Sequence, residues 1–197
     1  MRAKSIAVAG LALCLAAGAA RAVDHPDLFR ASSPDFADNG ILTADNASEG
    51  KSPRGPWTCG GKNISPAVAW SGAPADTKSF AVLMDDPDAA SGRGGNHWIA
   101  YGVAPTAKAL PRGAKEGFVA GDSGRDGAYH GPCAEPGAKA HHFLIYVFAL
   151  DLGPDALPKG LTKAAFMEKI KGHNTAEASV SAVYQRAANG DALTKVE

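Results

Sequence analysis

The chain has no surplus of charge: 20 Lys and Arg face 20 Asp and Glu across 197 residues. That balance excludes the basic field that draws nucleic acid or an anionic membrane to a protein, so no nucleic-acid partner is expected. Long apolar runs are missing as well. The one clear stretch, Ile6 to Leu15, falls far short of the roughly 20 residues a membrane span needs. There is no Gly-x-Ser-x-Gly elbow, no Walker phosphate loop and no His-Glu-x-x-His. Ligands at recognisable metal spacing are absent too, and neither a metal nor a cofactor is expected. Cysteine is scarce, with only Cys14, Cys59 and Cys133.

What is present begins with an export signal. Arg2 and Lys4 precede Ile6-Ala-Val-Ala-Gly-Leu-Ala-Leu-Cys-Leu15, and small residues lead to Ala20-Arg21-Ala22. A basic start, a short apolar core and an Ala-x-Ala end read as a secretory signal peptide over residues 1–22. Lipidation at Cys14 is the competing reading. Leu13 stands where that processing wants a small residue, and Cys14 lies deep in the apolar run. The expectation is a periplasmic or secreted protein, with residues 23–197 as one domain. Cleavage removes Arg2, Lys4 and Arg21 and no acid, leaving 17 basic against 20 acidic residues. Cys59 and Cys133 then remain as a pair, which an oxidising compartment favours as a disulfide over two buried thiols.

Turn residues are dense: 23 glycines and 13 prolines, most of them spread between Pro26 and Pro158. Such punctuation suits short strands and leaves little room for helices. Ser79–Met84, His97–Val103 and His141–Leu150 read as strands; the last, apolar almost throughout, belongs inside a sheet. Val68–Trp70 and Gly117–Ala120 are weaker candidates, and a short lead-in strand is expected before residue 40. After Pro158 the texture changes. Thr162 is a plausible N-cap for a helix to Ile170 with Phe166, Met167 and Ile170 inward, and Ala176–Ala188 reads as a second helix with Val180, Val183, Tyr184 and Ala187 on one stripe. The predicted architecture is a mostly β, antiparallel Greek-key sandwich with helices at its C-terminal end.

The polar residues that stand out sit at strand ends: Asp85-Asp86-Pro87-Asp88, His97-Trp98, Tyr129-His-Gly-Pro-Cys133 and His141-His142. Antiparallel pairing would gather a carboxylate, two imidazoles and a Gly-Pro turn on one rim. Imidazole and turn N–H groups there would donate to a small anion. The carboxylate would orient one imidazole, raise its pKa, and favour singly charged ligands. His142 and His173 have no partner at ligand spacing and read as non-functional.

Asn63-Ile-Ser-Pro66 through Trp70, Gly72-x-Pro74 with Thr77-Lys-Ser-Phe80, Asp86-Pro-Asp-Ala89, His97-Trp98, Tyr129-x-Gly-Pro-Cys133 and His141 through Asp151 follow one another in order. In that series the chain resembles the phosphatidylethanolamine-binding protein family, in its bacterial Raf-kinase-inhibitor-like branch, over roughly residues 40–186. The resemblance implies a β-sandwich with a shallow pocket for phosphate-like and carboxylate anions. By position it makes Asp86 the pocket acid and Asp88 the support of its turn. His97 and His141 become the imidazoles, and Gly131, Pro132 and Cys133 the backbone rim. Trp98 would pack beside His97 or serve the core, and Tyr129 would brace the turn.

Three positions depart from the family pattern. Ala90 replaces a proline, Ala134-Glu135 replaces Pro-Pro and sets an acid near the mouth, and Phe143 replaces a tyrosine. They predict weaker anion affinity and count against a phospholipid headgroup. A small-anion binding protein is the leading reading; a hydrolase of small phosphoesters using the Asp/His pocket, or an interaction or inhibitor protein, are the alternatives. A homodimer is possible. If cleavage follows Ala22, the new terminus Val23-Asp24-His25 offers the square-planar nitrogen set that Cu(II) prefers, though an incidental histidine in a tail is the plainer reading.

Overall fold

The computed structural model describes residues 28–123 and 129–195. The strands are β1 (Arg30–Ser32), β2 (Gly40–Ile41), β3 (Val68–Ser71), β4 (Ser79–Asp86), β5 (Gly95–Val103), β6 (Ala109–Leu110), β7 (Val119–Ala120), β8 (His141–Leu150) and β9 (Asn174–Tyr184). A 3-10 turn at Ala44–Asn46, the short, kinked α1 (Ala89–Gly92) and the helix α2 (Lys163–Lys169) interrupt them. The signal segment and the proposed copper-binding terminus lie outside the described residues.

A three-stranded sheet, β1-β3-β6, faces a six-stranded sheet, β2-β9-β8-β4-β5-β7. Pairing is antiparallel throughout except where β2 runs parallel to β9. The long strand β8 lies between β4 and β9, which explains why its sequence is apolar on both faces. One face, with Phe143, Ile145 and Val147, meets Phe80, Met84, Val180 and the small sheet's Val68 and Trp70. The other, with Phe148 and Leu150, packs with Ala81, Leu83 and Ile99 beneath α2. This is the expected sandwich, with less helix than the sequence suggested.

The correction concerns Ala176–Ala188, expected as a helix. Residues 174–184 form β9 and pair with β8 from His141↔Tyr184 to Leu150↔Asn174. Alanine's helix propensity is worth only tenths of a kcal/mol per residue against other common residues, and a full strand ladder outweighs it. The two-residue period was present: Ala176, Val180, Ala182 and Tyr184 pack in the core between Glu177, Ser179 and Ser181.

The first C-terminal helix forms as predicted. Thr162 Oγ1 accepts from Ala165 N at 3.3 Å, and Ile170 ends the helix. Phe166 is fully buried between Tyr101 and Phe148, whereas Met167, expected on the same stripe, is 39% exposed. Phe166→Ala should cost about 3–5 kcal/mol, read from urea unfolding midpoints at unchanged slope. A loss below about 1 kcal/mol would mean that α2 is not integral to the core.

Candidate functional site

Strand polarity brings the C-terminal end of β4 beside the N-terminal ends of β5 and β8. Asp86 closes β4 on the inter-sheet side, the side that Phe80, Val82 and Met84 also occupy. His141 opens β8 on the face it shares with Phe143 and Ile145. Successive residues of a strand should point to opposite faces, yet His97 and Trp98 both reach that side. The register explains it: Met84 pairs with Trp98 but Asp85 with Asn96, so two residues of β5 oppose one of β4. This bulge re-aims His97 into the end of the sandwich.

Asp86 is 3% exposed and uses both oxygens. Oδ1 accepts from the backbone of Asp88 (2.9 Å) and Ala89 (3.0 Å), which forms the turn after β4. Oδ2 takes a hydrogen bond from His141 Nδ1 at 2.7 Å and lies 3.9 Å from His97 Nε2. His97, 8% exposed, donates from Nδ1 to the carbonyl of His130 at 2.8 Å. A carbonyl only accepts, so the proton sits on Nδ1.

The two imidazoles therefore differ. The Asp86 hydrogen bond holds the pKa of His141 above its ordinary value, against the opposing effect of partial burial. Burial pushes the pKa of His97 down, and the His130 carbonyl and Asp86 only partly offset this. Arg54 is near enough to lower both.

Around these groups lies a cavity of about 220 Å³ lined by Asp86, His97, Gly131, Pro132, Cys133 and His141, six of the expected residues. Arg54, Ser123 and His130 line it as well and were not anticipated. His130 meets Ser123 Oγ at 3.2 Å and its ring lies 4.5 Å from that of His97. The legible clue to Arg54 was the cysteine pair: Cys59 and Cys133 stand at disulfide distance (S–S 2.01 Å), which carries the 51–58 loop to the rim. Arg186 braces the same junction, donating to the carbonyls of Thr58 (2.9 Å) and Ala134 (3.3 Å), the chain neighbours of the two cysteines.

Three expected residues do not line the cavity. Asp88 is exposed and accepts from the backbone N and Nδ1 of His142, both at 2.8 Å. His142 thus has a partner after all, as does His173 in Asp151. Trp98 is a core residue, edge-on to Tyr129 at 5.6 Å, and Tyr129 braces the turn by donating to the carbonyl of Asn46. Glu135 is exposed and does not line the cavity, although its neighbour Ala134 does. The rim also offers fewer backbone donors than expected. Gly131 N–H goes to Asn63 Oδ1 at 2.8 Å, and Pro132 has none. A Cβ on Gly131 would come within 1.9 Å of the carbonyl oxygen of Asn46, so only glycine fits there. Ala90 adopts φ 52°, which proline's ring forbids, so the turn after Asp86 is built differently from one with proline at this position.

A model of the phosphatidylethanolamine-binding protein family matches residues 32–185. The chain belongs to this family. A UPF0098 protein of Methanothermobacter thermautotrophicus is 36% identical over 140 residues, covering 66% of this chain and 88% of the relative. YbhB of Escherichia coli is 35% identical over 136 residues, covering 63% and 83%. The crystal structure of E. coli YbcL, described as a new member of the mammalian family, superposes with a TM-score of 0.69 at 29% identity, covering 80% of this chain and 98% of that one. Among the described residues no helix is long and apolar enough to cross a membrane, and no group of three His, Cys, Asp or Glu is placed to hold a metal.

Two predictions follow from the site. Because the raised His141 value exceeds that of the unfolded chain, its stabilising effect is whole below about pH 6.5 and is lost as pH rises through the raised value. His141→Gln should therefore cost stability at about pH 6 and much less at about pH 9 in urea melts; equal costs would exclude the held proton. Ala90→Pro should destabilise by at least about 1 kcal/mol, and an unchanged unfolding midpoint would show that the turn can adopt another conformation.

Proposed function

We propose that the chain is an exported protein that binds small oxyanions, phosphate-like or carboxylate, at the Asp86–His97–His141 cavity. The observation that carries this reading is the charge set around one small concave space. When His141 is protonated, the form its hydrogen bond to Asp86 favours, it and Arg54 supply two positive charges and the Asp86 carboxylate one negative. The remaining single positive charge matches a singly charged ligand. At about 220 Å³ the cavity is below the size that encloses a drug-sized molecule, so it suits an anionic group alone.

A larger recess of about 690 Å³, lined by Lys62, Ile64, Arg112 and Phe118, is a weaker candidate. Two of its three cations are already engaged, Arg112 with Asp35 and Asp45 and Lys62 with Asp45; the third, Lys115, is exposed.

The family's name points to a phospholipid headgroup. The hydroxyl missing at Phe143 and the altered turn at Ala90 favour a smaller anion. Export rests on Arg2, Lys4, the apolar run and the Ala-x-Ala end, together with two cysteines at disulfide distance. N-terminal sequencing of protein expressed with its leader should begin near Val23.

Calorimetric titration with inorganic phosphate should show saturable binding that His141→Ala abolishes. Arg54→Ala should weaken it about ten-fold, the worth of one charge-assisted hydrogen bond. If neither the heat nor the His97 and His141 ring NMR signals respond to phosphate, the anion site is wrong.

A further inference from the structure

The cavity holds acceptors as well as cations, and their placement restricts the anion. His97 spends its only neutral-state proton on the His130 carbonyl, which leaves a lone pair on Nε2. That nitrogen lies 3.9 Å from Asp86 Oδ2, too far for a hydrogen bond between them. Asp86 Oδ2 already receives the His141 proton and retains acceptor capacity. Two acceptors therefore stand side by side next to the cations. Burial favours this uncharged form of His97 and outweighs the His130 carbonyl, Asp86 and Asp85, which favour the charged form, while Arg54 opposes it.

An anion with bare oxygens only would satisfy His141 and Arg54 while setting a lone pair against His97 Nε2 or Asp86 Oδ2. An anion that keeps an O–H would donate it to the same pair. We infer that this site selects oxyanions bearing a hydrogen-bond donor of their own, dihydrogen phosphate or a phosphomonoester monoanion, and rejects equally charged anions without one, phosphodiesters included. This rests on the anion-binding reading and sharpens it. A single positive charge in the cavity attracts any monoanion, and the acceptor pair then decides among them. A site built to receive a ligand's O–H loses far more on its removal than an apolar pocket loses on losing a methyl group.

The test uses the mature protein and two tetrahedral monoanions of similar size. At about pH 5.5 inorganic phosphate is singly charged and carries two O–H groups; dimethylphosphinate is singly charged and carries two methyl groups in their place. Calorimetry should give an affinity for phosphate at least about ten-fold above that for dimethylphosphinate, and dimethyl phosphate should group with the phosphinate. Equal affinities for phosphate and dimethylphosphinate would overturn the inference while leaving anion binding intact, since a water or a protonated His97 would then be supplying the missing hydrogen. Binding of none of the three would overturn the anion site itself. The outcomes are read on the unaltered protein, so none depends on a variant folding.

Discussion

A buried carboxylate must have its oxygens occupied, and Asp86 imposes that demand on everything around it. Leaving either oxygen without donors would cost several kcal/mol in so desolvated a place. One oxygen therefore draws the chain into a turn through the N–H groups of Asp88 and Ala89, and the other fixes the ring of His141. The ends of β4 and β8 are thereby joined by side chains beyond the last rung of their ladder. The left-handed conformations of Ala90 and Ser91 are the strain this tight turn contains.

A second layer holds the opposite wall. The turn at Gly131–Pro132 lies against residues 46–48 so closely that no side chain fits between, and Tyr129 and Asn63 tie it there through Asn46 and Gly131. Cys59 and Cys133 link the 51–58 loop to this wall, and Arg186 spans the same junction with carbonyl hydrogen bonds. Closing a loop of 74 residues is worth about 4 kcal/mol in the chain-entropy view. The Arg186 contacts are noncovalent and reach the same two segments.

Much of this was legible in the sequence, for identifiable reasons. Residues 79–84, 97–103 and 141–150 are strands because branched and aromatic residues run between turn signals, and Thr162 is a recognisable cap. A carboxylate of residues 85–88 and strand-opening histidines could be grouped because antiparallel strands bring alternate ends together; the choice of Asp86, His97 and His141 rested on the family resemblance. What escaped depended on partners distant in sequence. The alanines of β9 favoured a helix until the open edge of β8 offered a ladder. Arg54 gave no local signal, since a disulfide-distance contact rather than periodicity carries its loop to the cavity. Trp98 stands beside His97 in sequence but serves the core, because the bulge determines which part of the inter-sheet space each one fills.

That bulge has a wider consequence. It places one ring within the sheet's hydrogen-bonded frame, whereas Arg54 reaches the same cavity from an exposed loop on a long, many-rotamer side chain. The walls of the cavity thus differ in stiffness. For a ligand bound as proposed above, the sheet side would be a fixed template for its head, and the loop side would accommodate whatever is attached to that head. Such a site would be strict about chemistry at one point and tolerant of bulk around it, so molecules sharing one terminal group would be treated alike.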